Sequence, residues 1–246
     1  MIGKLMIVVR REWSAYFVNP VGLLFLFLFG AVSIALTFFV GGFFEREIAD
    51  LEPFFQFHPW IYLLLMPALG MRLWAEEYKS GSAELLLTLP LPISSIVLGK
   101  FFAAWLVLAL ALGLCFPIWI TVNVLGDPDN GVIFAGFCAS WLLGGAFLAI
   151  SACMSAATKN QVNAFIASGS ICLILLLLGL PVVLDVLNSF LPALWVDRVG
   201  RVGVLHHYSQ IARGVIDPGD VLYFVILMAA ALMANSLLVE LQRVPK

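Results

Sequence analysis

The sequence predicts an all-α integral membrane protein, a single transmembrane domain of residues 1–246 with six membrane-spanning helices. Hydrophobic residues make up 63% of the chain and charged residues only 11%. In soluble domains roughly 45–50% of the residues are apolar and about 25% are charged. The apolar residues fall into runs near the ~20 residues that a helix needs to cross a bilayer. Because these runs are continuous rather than alternating, they favour helices over a membrane barrel.

Six segments qualify as spans: Val21–Phe43, Pro59–Trp74, Ile96–Leu125, Val132–Ala157, Val162–Leu184 and Val221–Leu241. The second is short and contains Pro67 and Gly70, so we expect a kink there. An even number of spans places both termini on one side. That side carries most of the basic residues: Lys4, Arg10, Arg11, Arg72, Lys79, Lys100, Lys159, Arg243 and Lys246. The positive-inside rule therefore predicts cytoplasmic termini.

Two segments outside the spans are also predicted to be helical. Residues 1–18 place apolar residues at helical spacing among charged ones, which is typical of an amphipathic interfacial helix ended by Asn19-Pro20. This helix either anchors the chain at the membrane edge or contacts a cytoplasmic partner. Residues 185–219 form an extracytoplasmic segment between spans five and six, and a short re-entrant or interfacial helical piece is expected within 180–196.

The longest polar interruption, residues 71–100, lies between spans two and three and is predicted to be cytoplasmic. Gly81 ends the helix that continues span two, Ser82 is placed to cap the next short helix, and Glu84 complements its positive N-terminal end. Pro90 ends this helix. Its leucines are expected to share one face: Leu85, Leu86 and Leu89. Either lipid or a groove in another protein would cover them.

Several kinds of chemistry are absent from the sequence. No GxxxxGK[ST] phosphate loop occurs, since Gly99-Lys100 is followed by Phe101. The four cysteines lie in apolar runs without metal-binding spacing, and neighbouring histidines on a helix diverge by about 100°. The spans contain almost no ionisable residues, which argues against proton- or sodium-coupled transport. We therefore predict no catalytic, cofactor or metal residues here, and a bundle driven from outside the membrane.

The stretch MRLWAEEYKSGSAELLLTLPLPISSIVLGK resembles the signature of ABC-2 type permeases, the membrane subunits of ABC transporters. Within that family it is most similar to the GldF-like gliding-motility group and the NosY-like group. The matching positions are Met71, Arg72, Glu76, Glu77, Gly81, Ser82, Glu84, Leu86, Leu87, Pro90, Ile96, Gly99 and Lys100. A second match, QIARGVIDPGDVLYF, precedes the last span and is carried by Arg213, Gly214, Asp217, Asp220, Tyr223 and Phe224.

The resemblance implies that the helix of residues 82–90 is a coupling helix that docks on a separate ATPase subunit. The docking residues would be Glu76, Glu77, Lys79, Gly81, Ser82, Glu84, Leu85, Leu86, Leu89 and Pro90. Residues 1–18 would be the connecting helix, with its charges at Lys4, Arg10, Arg11 and Glu12. Arg213, Gly214, Asp217, Asp220 and Tyr223 would form an extracytoplasmic motif.

The resemblance also implies the assembly and its location. Two permease chains, identical or related, would join two ATPase chains that bind ATP and Mg²⁺, and the complex would export a substrate across the bacterial inner membrane. Relatives often work with an auxiliary extracytoplasmic protein, and no nucleic acid is implied. Two other interpretations stay open: a permease-like subunit that transmits conformational change to a periplasmic partner, and, remotely, a metal-handling protein using Cys115, Cys138, Cys153 and Met154.

Overall fold

The structure is a computed structural model that describes residues 2–88 and 91–243. Every regular element within those ranges is helical, as the sequence predicts. In chain order the helices are α1 (Ile2–Val18), α2 (Pro20–Ala35, continued by a π-helical turn at Leu36–Val40), α3 (Glu52–Phe55), α4 (His58–Gly70), α5 (Arg72–Ser80), α6 (Ser82–Thr88), α7 (Ile93–Leu114), α8 (Phe116–Leu125), α9 (Asn130–Ala157), α10 (Gln161–Leu177), α11 (Pro181–Asn188), α12 (Ala193–Val202), α13 (Val204–Ala212) and α14 (Pro218–Arg243).

The described residues include four helical segments long and apolar enough to cross a membrane: Pro20–Val40, Ile93–Leu125, Asn130–Ala157 and Pro218–Gln242. They coincide with four of the six predicted spans. In the predicted fifth span, α10 and α11 pass the same test only as a pair and meet at 71°. The predicted second span is divided between α4, which has 13 residues, and the start of α5. Within the described ranges this criterion thus gives four candidate spans, or five if the bent pair is a single span, as in a multi-pass membrane protein.

Local sequence signals account for several helix ends. The Asp129 side chain accepts hydrogen bonds from the backbone amides of Gly131 and Val132 in the first turn of α9, and the Asn160 side chain accepts one from the Val162 amide in the first turn of α10. These side chains satisfy amides that have no partner within their own helix. Gly81 ends α5 with a φ of +76°, a left-handed conformation that glycine adopts without steric penalty.

Helix α9 lies at the centre of the bundle and packs against α4, α7, α10, α13 and α14. Its glycines allow the neighbouring helices to approach closely. A Cβ atom added at Gly144 would lie 2.2 Å from Leu108 Cδ2, and one added at Gly136 would lie 2.4 Å from Phe55 Cε2. Small residues at helix contacts are the usual basis of packing in membrane bundles, where burial from water supplies little driving force.

Candidate functional site

The hairpin between α4 and α7 is built from a stem, helix α5, and a short terminal helix, α6. The stem buries Leu73, Trp74 and Ala75 against the bundle and ends at Gly81, where the chain turns into α6. The predicted docking residues Leu89 and Pro90 lie outside the residues that the structure describes. The hairpin is therefore a bundle-packed stem that holds a seven-residue helix at its end.

Helix α6 exposes Glu84 and Leu85 and buries Leu86. Leu85 is 73% exposed, whereas Leu86 is only 4% exposed. The prediction that these two leucines share one face is wrong, because consecutive residues on a helix point about 100° apart. Ser82 is the first residue of α6, and its hydroxyl oxygen lies 2.8 Å from that of Ser80. The described surface of α6 thus offers one leucine beside one carboxylate.

Four charged residues, which we call the ionic junction, join the stem to α1 and α7: Arg11, Glu12, Glu77 and Lys100. Lys100 is 2% exposed, and its Nζ lies 2.7 Å from Glu77 Oε1 and 3.4 Å from Glu12 Oε1. Arg11 contacts both carboxylates. The Lys100 ammonium also lies 5.3 Å from the centre of the Trp74 ring. Separating the three helices would leave charge buried without a partner, so the junction holds them as one unit.

The other charged residues of the predicted docking and connecting sets lie around this junction. Arg72 Nε lies 2.7 Å from Glu76 Oε2, and this hydrogen bond lowers the pKa of the Glu76 carboxyl. Lys79 stands in the last turn of the stem, where a cation complements the helix dipole. Lys4 and Arg10 lie on the exposed surface of α1. The structure brings Arg11 and Glu12 to the hairpin through their contacts with Glu77 and Lys100.

The motif before the last span organises the start of α14. Asp217 accepts a hydrogen bond from a first-turn amide at 2.8 Å. The Asp220 carboxylate lies 2.6 Å from Nδ1 of His207 on α13. Tyr223 stacks on the His207 ring with 4.0 Å between ring centres and donates a hydrogen bond to the Val202 carbonyl at 2.5 Å. These contacts connect α12, α13 and the start of α14.

Arg213 and Gly214 form the turn between α13 and α14. Gly214 has a φ of +87°, and a Cβ atom there would lie 2.9 Å from Val132 Cγ2, so both backbone conformation and space favour glycine. Arg213 is exposed. The predicted extracytoplasmic motif is thus split between a turn and a helix start. Sequence reasoning missed the part played by His207, which it considered only as one of two neighbouring histidines that would make a poor metal site.

A buried chain of hydrogen bonds, also missed from the sequence, connects α4, α9 and α13. His58 Nδ1 lies 2.7 Å from the Ser140 hydroxyl, which lies 3.3 Å from the Tyr208 hydroxyl. Tyr208 donates a hydrogen bond to the Phe55 carbonyl at 2.6 Å. His58 and Ser140 are fully buried. A single histidine before a span has no characteristic spacing that would predict its hydrogen bond to Ser140. The apolar helical face that carries Tyr208, in contrast, can be recognised in the sequence.

The metal-handling interpretation gains no support from the part of the chain that the structure describes. Within it, no three His, Cys, Asp or Glu side chains are grouped as metal ligands would be. Cys115 and Cys153 are buried free thiols. Such cysteines act as small apolar residues in helix packing.

Comparison with known protein families gives a match over most of the chain. A family model described as ABC-2 family transporter protein matches residues 34–211, which is well over half of the chain. The matched region contains the entire hairpin, together with Glu77 and Lys100 of the ionic junction and the His58–Ser140–Tyr208 hydrogen bonds. A search of curated proteins found no match to the chain.

Proposed function

The chain belongs to the ABC-2 family of transporter proteins, and from this we propose that it is the permease subunit of an ABC exporter. Membership of the family makes it a membrane component of ATP-driven transport, with an ABC ATPase as its general partner. We propose that this ATPase docks on the 71–100 hairpin and supplies all of the ATP and Mg²⁺ binding. The absence of a phosphate-loop sequence from this chain agrees with that division of labour.

The observation that carries the proposal is that the end of the hairpin exposes a carboxylate and a leucine, while ion pairs hold its stem to two other helices. Glu84 and Leu85 face outward from α6, which suits an amphipathic helix entering a groove of a partner. The stem beneath them is joined to α1 and α7 through Lys100. A displacement applied to α6 would therefore move a braced unit rather than a loose loop, and α5 would pass it to α4 and α9.

We further propose the arrangement of the complete transporter. Six spans, with α4 and the start of α5 as the second, place both termini and the hairpin in the cytoplasm, and the distribution of basic residues supports this. A second permease chain, identical or related, completes the membrane part. The two sequence motifs favour the GldF-like and NosY-like groups within the family, and hence an auxiliary extracytoplasmic protein in the assembly.

The docking proposal predicts that E84K combined with L85D releases the ATPase subunit. The two substitutions reverse the exposed charge and remove the exposed apolar contact of α6. A hot-spot contact of this kind contributes about 2 kcal/mol or more to binding, so we expect roughly thirtyfold weaker association. The measurement is co-purification of the two subunits, followed by titration of purified ATPase onto the permease in nanodiscs. Leu86 is unsuitable for this test, because a charge at that buried position would unfold α6.

A matched control exists in the first predicted outer loop, where Glu47 and the 59%-exposed Ile48 repeat the order of an acid followed by an exposed aliphatic residue. E47K combined with I48D makes the same change in charge and polarity away from the hairpin. We expect this variant to bind the ATPase as the native chain does. Equal binding by the native chain and the α6 variant would exclude α6 as the docking element.

A second candidate function is a relay that transmits ATP-driven movement to a periplasmic partner. It is favoured by the hydrogen bonds that join Tyr208 of α13 to Phe55 and Ser140. These bonds connect residues 185–219, which we call the outer segment, to the centre of the bundle. Deleting residues 200–215 would be a poor test, because α13 buries Val204, Tyr208 and Ile211. A single substitution at Tyr208 is more specific.

A further inference from the structure

Ser155 of α9 makes three hydrogen bonds to the backbone at the point where α4 ends and the stem α5 begins. Its hydroxyl donates to the Met71 carbonyl at 2.7 Å. The same oxygen accepts from the backbone amides of Trp74 and Ala75, each at 3.0 Å. Ser155 is fully buried. One side chain from a neighbouring helix thus satisfies three backbone groups of the stem.

The position of this hydroxyl accounts for the break between α4 and α5. In an uninterrupted helix the Met71 carbonyl would accept from the Ala75 amide, four residues later. The Ser155 hydroxyl instead lies between these two groups, and a side chain inserted into a helical hydrogen-bond ladder is a recognised cause of kinks. Pro67, one turn earlier, has no amide hydrogen and further weakens the ladder. The stem consequently begins as a separate helix, capped by α9.

The same region of α9 also fixes the distance between α9 and the end of α4. A Cβ atom added at Gly70 would lie 2.4 Å from Ser151 Cβ, so the end of α4 touches α9 directly. Ser151 is buried like Ser155, but its hydroxyl bonds to the Phe147 carbonyl of its own helix at 2.7 Å. The two serines are therefore alike in burial and helix, and only Ser155 bonds to the stem.

We infer that Ser155 is the positioning residue that sets the direction of the coupling stem relative to α9. Its hydroxyl lets α5 leave the direction of α4 while the backbone groups freed at the break remain hydrogen-bonded, as buried backbone groups require. Movement of the hairpin then reaches α9, the central helix, at a defined point. This inference rests on the proposed role of the hairpin in docking the ATPase, and it adds the contact through which the movement enters the bundle.

The test compares S155A with S151A in the complex of permease and ATPase subunit, reconstituted in nanodiscs. Three properties are measured: hydrogen exchange of the peptide that contains Trp74 and Ala75, retention of the ATPase subunit, and the change in exchange across α9 when ATP is hydrolysed. We expect S155A to exchange about tenfold faster at the stem peptide, because buried amides lose their acceptor. ATPase retention should be unchanged, and the ATP-dependent change across α9 should fall severalfold. S151A should match the native chain in all three.

If S155A does not fold, S155C provides the same test, since it keeps the side-chain size and replaces the hydroxyl with a weakly bonding thiol. If the stem peptide of either variant exchanges hydrogen at the rate of the native chain, the assignment of Ser155 is wrong. Faster exchange with a full ATP-dependent change across α9 would overturn its role in coupling. Failure of the native chain to retain the ATPase would refute the proposed function itself, and the stem exchange would still show whether Ser155 holds α5.

Discussion

Single side chains decide how the hairpin is held, and Lys100 is the first of them. Its ammonium is buried against two carboxylates, Glu77 and Glu12. Replacing Lys100 by methionine keeps the apolar stem of the side chain and leaves Glu77 without its nearest cation. We predict a loss of about 3 kcal/mol in the free energy of unfolding, at the low end of the range for breaking a buried ion pair, because Glu77 retains some contact with solvent.

This loss can be measured by chemical unfolding of the purified permease in detergent. K79M is the matched control, since Lys79 is an exposed lysine on the same stem and its replacement should change stability by no more than about 0.5 kcal/mol. Adding E77Q to K100M should recover part of the loss, because it removes the carboxylate that has lost its nearest cation and keeps only the longer contact with Arg11. Equal stability of K100M and K79M would show that the ionic junction does not hold the stem.

At the scale of elements, the close packing of α1 on α7 requires that position 99 be a glycine. A Cβ atom at Gly99 would lie 2.6 Å from Val8 Cγ1 and 2.7 Å from Val8 Cβ. G99A should therefore push α1 away and lower stability by about 1–3 kcal/mol. We predict severalfold faster hydrogen exchange along Ile2–Val18, measured by mass spectrometry on the permease in nanodiscs.

The same helix provides the control, because Gly113 near the end of α7 has no atom within 4 Å of an added Cβ. G113A should be neutral or slightly stabilising, since alanine favours a helix more than glycine does. Combining G99A with V8G should return exchange in α1 to the rate of V8G alone, because glycine removes both Val8 atoms that the new methyl group would meet. Slow exchange in G99A alone would mean that α1 adapts without leaving α7.

The elements also show where sequence reasoning ends. Long apolar runs predicted the spans at α2, α7, α9 and α14, because a helix that faces lipid must be apolar along its whole length. The rotation of α6 was not predictable in this way. A helix of seven residues has too few turns to define a face by its own periodicity, and the stem decides which leucine is buried. Leu86 consequently points into the bundle while Leu85 is exposed.

Across the whole molecule, the contacts that were missed join residues far apart in sequence. Ser155 bonds to the stem across 80 residues or more, and Tyr208 bonds to Phe55 across 153. A serine in an apolar run is equally compatible with a bond inside its own helix, as at Ser151, and only the packed bundle distinguishes the two. The sequence therefore predicted the hairpin as a site, whereas the connections from the hairpin through α9 to the outer segment required the fold.

These connections lead to the last prediction, on the relay from the hairpin to the outer segment. Y208F removes a buried donor to the Phe55 carbonyl and a neighbour of Ser140. The carbonyl loses its partner, which costs about 1–3 kcal/mol of local stability. If the outer segment receives ATP-driven movement through α13, this variant should still retain the ATPase subunit. It should lose most of the ATP-dependent change in hydrogen exchange across Val204–Ala212, measured on the reconstituted complex.

The control is Y223F, which removes another tyrosine hydroxyl bonded to a backbone carbonyl, that of Val202. That bond joins the start of α14 to the end of α12 and does not involve α3, α4 or α9, so Y223F should keep the ATP-dependent change. A full change in Y208F would exclude this contact as the path. An outer segment that does not respond to ATP even in the native complex would instead favour a permease whose movement ends at its transport pathway, because a relay must deliver movement to the surface that its partner contacts.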